Sequence, residues 1–223
     1  MAGSSVETDY LNGMTLLGVK RFEISKSSQL IKRGIDLAIS AVALILLAPL
    51  MALIAVAIKI DSPGPILFRQ VRAGRRGEPF RMLKFRSMID GADQLKEQLR
   101  HLNEAEGVFK IANDPRVTQV GRLLRRMHLD EVPQLINVLK GDMSLVGPRP
   151  LPLDEDKAIR GWYRDRLEVP PGISGYWQVL GSSRIPLEEM VKLDYLYVAN
   201  WSVWGDLKLM LRTVPVVINR RGM

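Results

Sequence analysis

The sequence predicts an α-dominated α+β protein carrying one membrane-inserted helix, and three observations lead there. An uncharged run of about 22 residues from Leu37 to Ile58 is long enough, at 1.5 Å per residue, to cross a hydrocarbon core of roughly 30 Å. Two short apolar segments flank the Gly-rich stretch Gly74-Arg75-Arg76-Gly77-Glu78-Pro79 and read as a small β-hairpin. Beyond it, apolar residues recur at helical spacing to the end of the chain.

Taken in order, residues 1–28 are polar and mixed and lack the basic and apolar regions of a cleaved signal peptide, so they read as a leader or linker. Residues 29–60 form the membrane helix and 61–223 one compact, largely helical domain. Pro49 sits mid-run and removes a backbone hydrogen bond where lipid offers no substitute. Basic residues flank both sides, Lys32 and Arg33 before it and Arg69, Arg72, Arg75 and Arg76 after it, which conflicts with a simple span under the positive-inside tendency. A re-entrant helix, broken at Ala48-Pro49 and leaving by the leaflet it entered, satisfies both facts; an ordinary kinked spanning helix is the alternative.

The turn Asp61-Ser62-Pro63-Gly64-Pro65 leads into the first hairpin strand, Ile66 to Val71, and the second runs from Phe80 to Arg86. Residues 90–105 are charged on most sides and predict a solvated helix. Short helices are expected near 117–126, 131–139 and 153–166. The stripes Leu187, Val191, Tyr195, Val198 and Leu207, Met210, Leu211, Val214, Val217 predict two C-terminal amphipathic helices. With Tyr195, Tyr197, Trp201 and Trp204 near their junction and Lys208 and Arg212 a turn apart, they suit helices lying in the membrane interface. The same periodicity also fits a stripe packed on the core.

Lys and Arg outnumber Asp and Glu by 32 to 24, a formal charge of +8 that favours an anionic partner. With no cysteine and only His101 and His128, thiolate nucleophiles, Cys-ligated zinc and His-rich metal sites are excluded. Carboxylates, hydroxyls, Lys and Arg must carry any chemistry.

Those groups concentrate between Leu123 and Pro150, in LLRRMHLDEVPQLINVLKGDMSLVGPRP. Asp130-Glu131 precedes Val132-Pro133 and an apolar run, which places Asp130 as a helix N-cap with Pro133 in the first turn. A helix start favours an ionised carboxylate and also attracts phosphate, so a nucleophile and a phosphoryl target could meet there. Arg125 and Arg126 lie about one turn earlier. A neighbouring carboxylate can hold a divalent cation that screens the repulsion between an anionic nucleophile and a diphosphate, and magnesium suits oxygen ligands. Lys84, Arg86 and Arg149 could clamp phosphate, Arg149 being stiffened by a proline on either side.

At these residues the chain resembles the bacterial sugar transferase family, the monotopic polyprenyl-phosphate phosphoglycosyl transferases, in particular those moving hexose phosphates. The match runs from Lys32-Arg33 and Asp36 through GPILFRQVRAGRRGEPFRMLKFRSM, NDPRVTQVGRLLRR, LDEVPQLINVLKGDMSLVGPRP and VPPGISGYWQV to NWSVWGDLKLMLRT. The resemblance implies a catalytic domain over 61–223 on the cytoplasmic face of the bacterial inner membrane, beginning polysaccharide assembly. It implies that Asp130 attacks the sugar-bearing phosphate of a UDP-sugar and releases UMP, and that undecaprenyl phosphate takes the phosphosugar. Glu131 would ligate Mg2+; Arg125, Lys84, Arg86 and Arg149 would contact phosphate. This sequence has Ala48 where the family often has Ser before the proline, His128 in place of a small hydroxyl residue, and no Gly-Arg after Gln178. The sugar transferred and any pairing into homodimers are left open. A basic membrane-bound adaptor without catalysis is the alternative of another class. Nucleic acid is not an expected partner, since the basic residues bracket a membrane segment.

Overall fold

In the computed structural model, residues 6–11, 14–19, 25–95, 97–103, 111, 114–179 and 186–218 are described. Two antiparallel strands, β1 (Val6–Leu11) and β2 (Met14–Val19), occupy the segment expected as a featureless leader. The Asn12-Gly13 dipeptide between them is the sequence signal for such a hairpin.

Helix α1 (Lys26–Asp61) is 36 residues long, with Pro49 inside it. Its start is capped by Ser25, whose Oγ accepts from the Ser28 N–H at 3.2 Å. It stops at Ser62, whose extended backbone leads into Pro63 and Gly64. Burial is confined to its two ends: Lys32, Asp36 and Ser40, one turn apart on one face, and Ile54 and Ile58 near the other terminus. No residue from Ala41 to Leu53 is buried, and Ile45, Leu46 and Leu53 are each more than two-thirds exposed. An apolar mid-section without protein cover needs another solvent.

The hairpin falls where the sequence predicts. Strands β3 (Leu67–Ala73) and β4 (Pro79–Phe85) pair antiparallel, from Leu67 opposite Phe85 to Ala73 opposite Pro79. The solvated helix expected at 90–105 is instead a series of turns among its described residues, with a single 3-10 turn at Arg100–Leu102. Ala92 alone is buried there, so too little apolar surface is covered to sustain a helix.

Next come α2 (Gln119–Arg126), α3 (Gln134–Lys140) and β5 (Ser144–Val146). The helix expected over 153–166 divides into α4 (Leu153–Ala158) and a 3-10 segment at Gly161–Glu168, separated where Gly161 adopts a positive φ of 66°. Strand β6 (Gly172–Ser174) pairs with β5 in parallel, then α5 (Tyr176–Val179), α6 (Leu187–Ala199) and α7 (Val203–Ile218) complete the chain.

Packing explains how the pieces sit. Ile54 and Ile58 of α1 close on Phe85 of β4 and Leu124 of α2. Asn137 of α3, fully buried, accepts from the Leu83 N–H at 2.9 Å and donates to the Arg81 carbonyl at 2.8 Å, tying α3 to β4. At Gly121 a Cβ would stand 2.0 Å from the Ser87 carbonyl oxygen, so only glycine lets α2 approach the end of β4. Of the two C-terminal stripes, the one on α6 is a core stripe: Val191 packs with Leu151 and Ile159, and Val198 with Val146 and Leu209. On α7, Trp204, Leu207, Leu211 and Val214 remain exposed.

Candidate active site

Asp130 does not cap α3. It lies on a separate 3-10 turn, Leu129–Glu131, and α3 starts after Pro133 without a side-chain cap. The turn is launched by His128, which adopts φ 55° and ψ 18° and redirects the chain after α2. A left-handed histidine is uncommon and costs energy, and such conformations collect at functional sites. His128 therefore sets the direction from which Asp130 enters the site, a part that the sequence did not assign to it.

Asp130 is 9% exposed. Burial raises its pKa above the ordinary carboxylate value, Lys84 pulls it down, Glu131 pushes it up, and Arg125 and His128 lower it again. Glu131 behaves oppositely. Burial alone would raise it, but Lys84 and Arg149 prevail and hold it at about 2. Lys84, projecting from β4, bridges Glu131 Oε1 at 2.7 Å. The register of the hairpin thus delivers a cation to the acidic turn.

Arg125, in the last turn of α2, donates through Nε to Ser87 Oγ at 2.8 Å, and feels the charges of Asp130 and Asp114. Its burial lowers its pKa, so the guanidinium is held in a partly desolvated position that a phosphate could satisfy. Arg149 lies close enough to Glu131 and Arg72 to shift both.

Arg72 belongs to the same site and was missed in the sequence. On β3 it donates to Gln70 Oε1 at 2.5 Å and to the Pro150 carbonyl at 3.3 Å, and burial, then Arg149, lowers its pKa to about 10. Its alternation with Gln70 along a strand was the only available hint.

Arg86 goes elsewhere. Its Nη2 donates to the carbonyl of Ser62 at 2.5 Å, to Ser62 Oγ at 2.8 Å and to the carbonyl of Ile58 at 3.4 Å, so it caps the carboxyl end of α1, where a helix dipole favours a cation. Lys84, Arg125, Arg149, Asp130 and Glu131 converge; Arg86 holds the membrane helix to the end of β4 instead. Ala48 and Pro49 lie in the uncovered middle of α1, away from any buried contact.

One turn thus presents two carboxylates with different proton affinities inside a ring of Lys84, Arg125, Arg149 and Arg72. Asp154 and Glu155 act on Arg72 and Asp114 acts on Arg125, so further acids border the ring, and its guanidinium and ammonium groups are the donors that an anion carrying several charges would meet. No group of three or more acidic or histidine side chains able to hold a metal occurs among the described residues. Asp130 and Glu131 nonetheless offer hard oxygen donors, and Mg2+ commonly binds through one or two carboxylates together with substrate phosphates.

The chain belongs to the bacterial sugar transferase family, whose model matches residues 27–220. Similar proteins include the undecaprenyl-phosphate galactose phosphotransferase of Salmonella typhimurium, 41% identical over 212 residues, which are 93% of this chain and 44% of that one. The UDP-glucose:undecaprenyl-phosphate glucose-1-phosphate transferase of Escherichia coli is 39% identical over 212 residues, 92% of this chain and 44% of its own. The exopolysaccharide production protein ExoY of Rhizobium meliloti is 39% identical over 200 residues, 86% of this chain and 87% of its own length. The chain therefore spans less than half the length of the Salmonella and Escherichia relatives, and most of ExoY.

Proposed function

We propose that this protein transfers a sugar-1-phosphate from a UDP-sugar to a polyprenyl phosphate such as undecaprenyl phosphate, in two displacements that share Asp130. In the first, a carboxylate oxygen of Asp130 forms a bond to the sugar-bearing phosphorus while the anhydride P–O bond to the other phosphate breaks, and UMP leaves with the bonding pair. In the second, a phosphate oxygen of the polyprenyl phosphate attacks the same phosphorus and restores the carboxylate, giving a polyprenyl diphosphate sugar. Covalent catalysis of this kind splits one hard exchange into two.

The observation that carries the proposal is the pairing of unlike carboxylates on one turn. Glu131, held at about 2, stays ionised. Asp130, raised by burial, is the poorly solvated and more basic oxygen of the two, as suits a nucleophile. Lys84, Arg125 and Arg149 supply the positive charge that lets two anions approach, and Arg72 adds to it. Glu131 would hold Mg2+, which when bound supplies charge neutralisation for the diphosphate. The names of the similar Salmonella and Escherichia proteins agree with this donor and acceptor.

The ends of α1 support membrane placement. Arg33 donates to the carbonyls of Val138 and Leu139 at 2.5 and 2.8 Å, Lys32 to Val146, and Ile54 and Ile58 pack against β4 and α2. Both ends of the helix rest on one domain while its apolar middle has no cover, which supports entry and exit through a single leaflet, the cytoplasmic one of the inner membrane. The exposed α7 stripe, with Lys208 over the ring of Trp204 at 5.6 Å, supplies an amphipathic surface suited to the headgroup layer.

The test is UMP release from a panel of UDP-sugars, with trapping of labelled donor on the protein. Activity in wild type, a labelled aspartate at 130 and neither in Asp130→Asn is the expected result. A basic adaptor would release no UMP with any donor, and an Asp130→Asn variant with near-normal turnover would remove Asp130 from its role.

A further inference from the structure

Most backbone polar groups of the loop that carries Arg149 are engaged between Val146 and Arg149. The Val146 carbonyl accepts from Lys32 Nζ at 2.8 Å and from the Tyr197 hydroxyl at 3.0 Å. The Gly147 N–H donates to the Ser174 carbonyl at 2.9 Å, and the Pro148 carbonyl accepts from the Gly172 N–H at 2.8 Å. The Arg149 backbone also meets a buried ion cluster: its carbonyl accepts from Arg166 Nη2 at 2.5 Å, and its N–H lies near enough to Asp194 to favour the ionised carboxylate. Arg166 in turn donates to Asp194 Oδ2 through Nε at 3.1 Å and Nη2 at 2.9 Å, and to Asp156 Oδ1 through Nη1 at 3.2 Å.

The Arg166 side chain is 1% exposed, and Asp156 and Asp194 are 8% and 4% exposed. A buried ion cluster is a poor source of stability, because desolvation offsets most of its attraction and apolar replacements are often neutral. Its geometry here serves a neighbour. Pro150 already confines Arg149 to extended backbone, and Pro148 fixes the residue before it. What these contacts leave open is the peptide group on the far side of Arg149, and the Arg166 fork fixes its carbonyl while Asp194 holds the fork in place.

We infer that Asp156, Arg166 and Asp194 are positioning residues that orient Arg149 toward Glu131 and the donor diphosphate. The inference deepens the proposed transferase reading and uses its assay. The planar fork is essential, since one guanidinium must reach Asp194 and the Arg149 carbonyl together, which a lysine ammonium cannot do. The three residues lie far from the acidic turn in sequence, and none touches the reacting groups.

A double-mutant cycle on the full chain in nanodiscs tests this, reading UMP release as KM for the UDP-sugar and kcat. Arg149→Ala should raise KM at least tenfold with a smaller change in kcat, and Asp194→Asn and Arg166→Lys should raise KM several-fold in the same direction. In the Arg149→Ala background, Asp194→Asn should add less than a twofold change. An Asp194→Asn effect of equal size in both backgrounds, or a fall in kcat with KM unmoved, overturns the inference and leaves the transferase reading intact. Should Asp194→Asn fail to fold, Asp156→Asn, which removes only the outer carboxylate, serves in the same cycle with the same two outcomes. A wild type that releases no UMP with any UDP-sugar overturns both readings.

Discussion

Two charged clusters in this protein use the same residue types for opposite ends. Around Arg166, two buried carboxylates face its sealed guanidinium, and a second, half-exposed guanidinium, Arg164, reaches Asp156 from outside at 3.6 Å. Around Asp130, four cations surround two carboxylates, and Asp130 itself makes no hydrogen bond to the described residues while Glu131 is bridged through Oε1. The first cluster is complete without a ligand. In the second, a buried carboxylate is left without a side-chain hydrogen bond among several cations, and that separates a site suited to a phosphate from a structural knot.

The comparison can be broken at several points. The largest effect is expected at Asp130: replacement by Asn should reduce UMP release by at least about a thousandfold, as removal of a covalent nucleophile does, while membrane insertion and Tm stay within a degree or two. Arg166→Met should act the other way, lowering stability by about 3 to 5 kcal/mol because the buried Asp194 loses its partner while Asp156 keeps only Arg164. Thermal melting in detergent would show it as a large fall in Tm, and an unchanged Tm would mean that the cluster is not structural.

Lys84→Met should cost about tenfold to a hundredfold in kcat/KM, on the scale of one electrostatic stabiliser. It should also sharpen the contrast through pH. Glu131 titrates at about 2 in the fold against 4.5 for the ordinary group, so its ionised form adds stability that is fully present above 4.5 and is lost as pH falls through 2. With Lys84 gone the folded pKa rises, and the stability gap between wild type and variant should narrow as pH is lowered from 5 to 2. A constant gap would show that Lys84 does not act on Glu131. The smallest effect belongs to Glu188→Ala: its exposed bridge to Lys192 at 2.8 Å should change stability by less than about 0.5 kcal/mol.

Much of the fold was legible. The uncharged run gave α1, and the glycines between two apolar segments gave the β3–β4 hairpin, because both are local patterns of burial and turn chemistry. The errors were also local in origin. Residues 90–105 carry helix-forming side chains and a narrow stripe of Ala92, Leu95, Leu99 and Leu102, but of these only Ala92 is buried, so propensity alone could not hold a helix there. Asp130 looked like an N-cap because Pro133 follows it, yet the left-handed His128 shifted the helix start past the proline. The surroundings of Arg86 were not legible either: only the packing of α1 beside β4 shows that its Nη2 ends on Ser62.

From the sequence came a helix long and apolar enough to cross a membrane, an acidic pair among basic residues, and no thiol or histidine cluster for other chemistry, since these follow from composition and spacing. Which cations face the acids was decided by tertiary structure alone. Lys84 and Glu131 lie 47 positions apart, and Arg166 and Asp194 28 apart, and such pairs form only when strand register and helix packing bring distant backbone together. Proton affinities follow those pairings, because desolvation and neighbouring charge are properties of the folded surroundings and not of the residue.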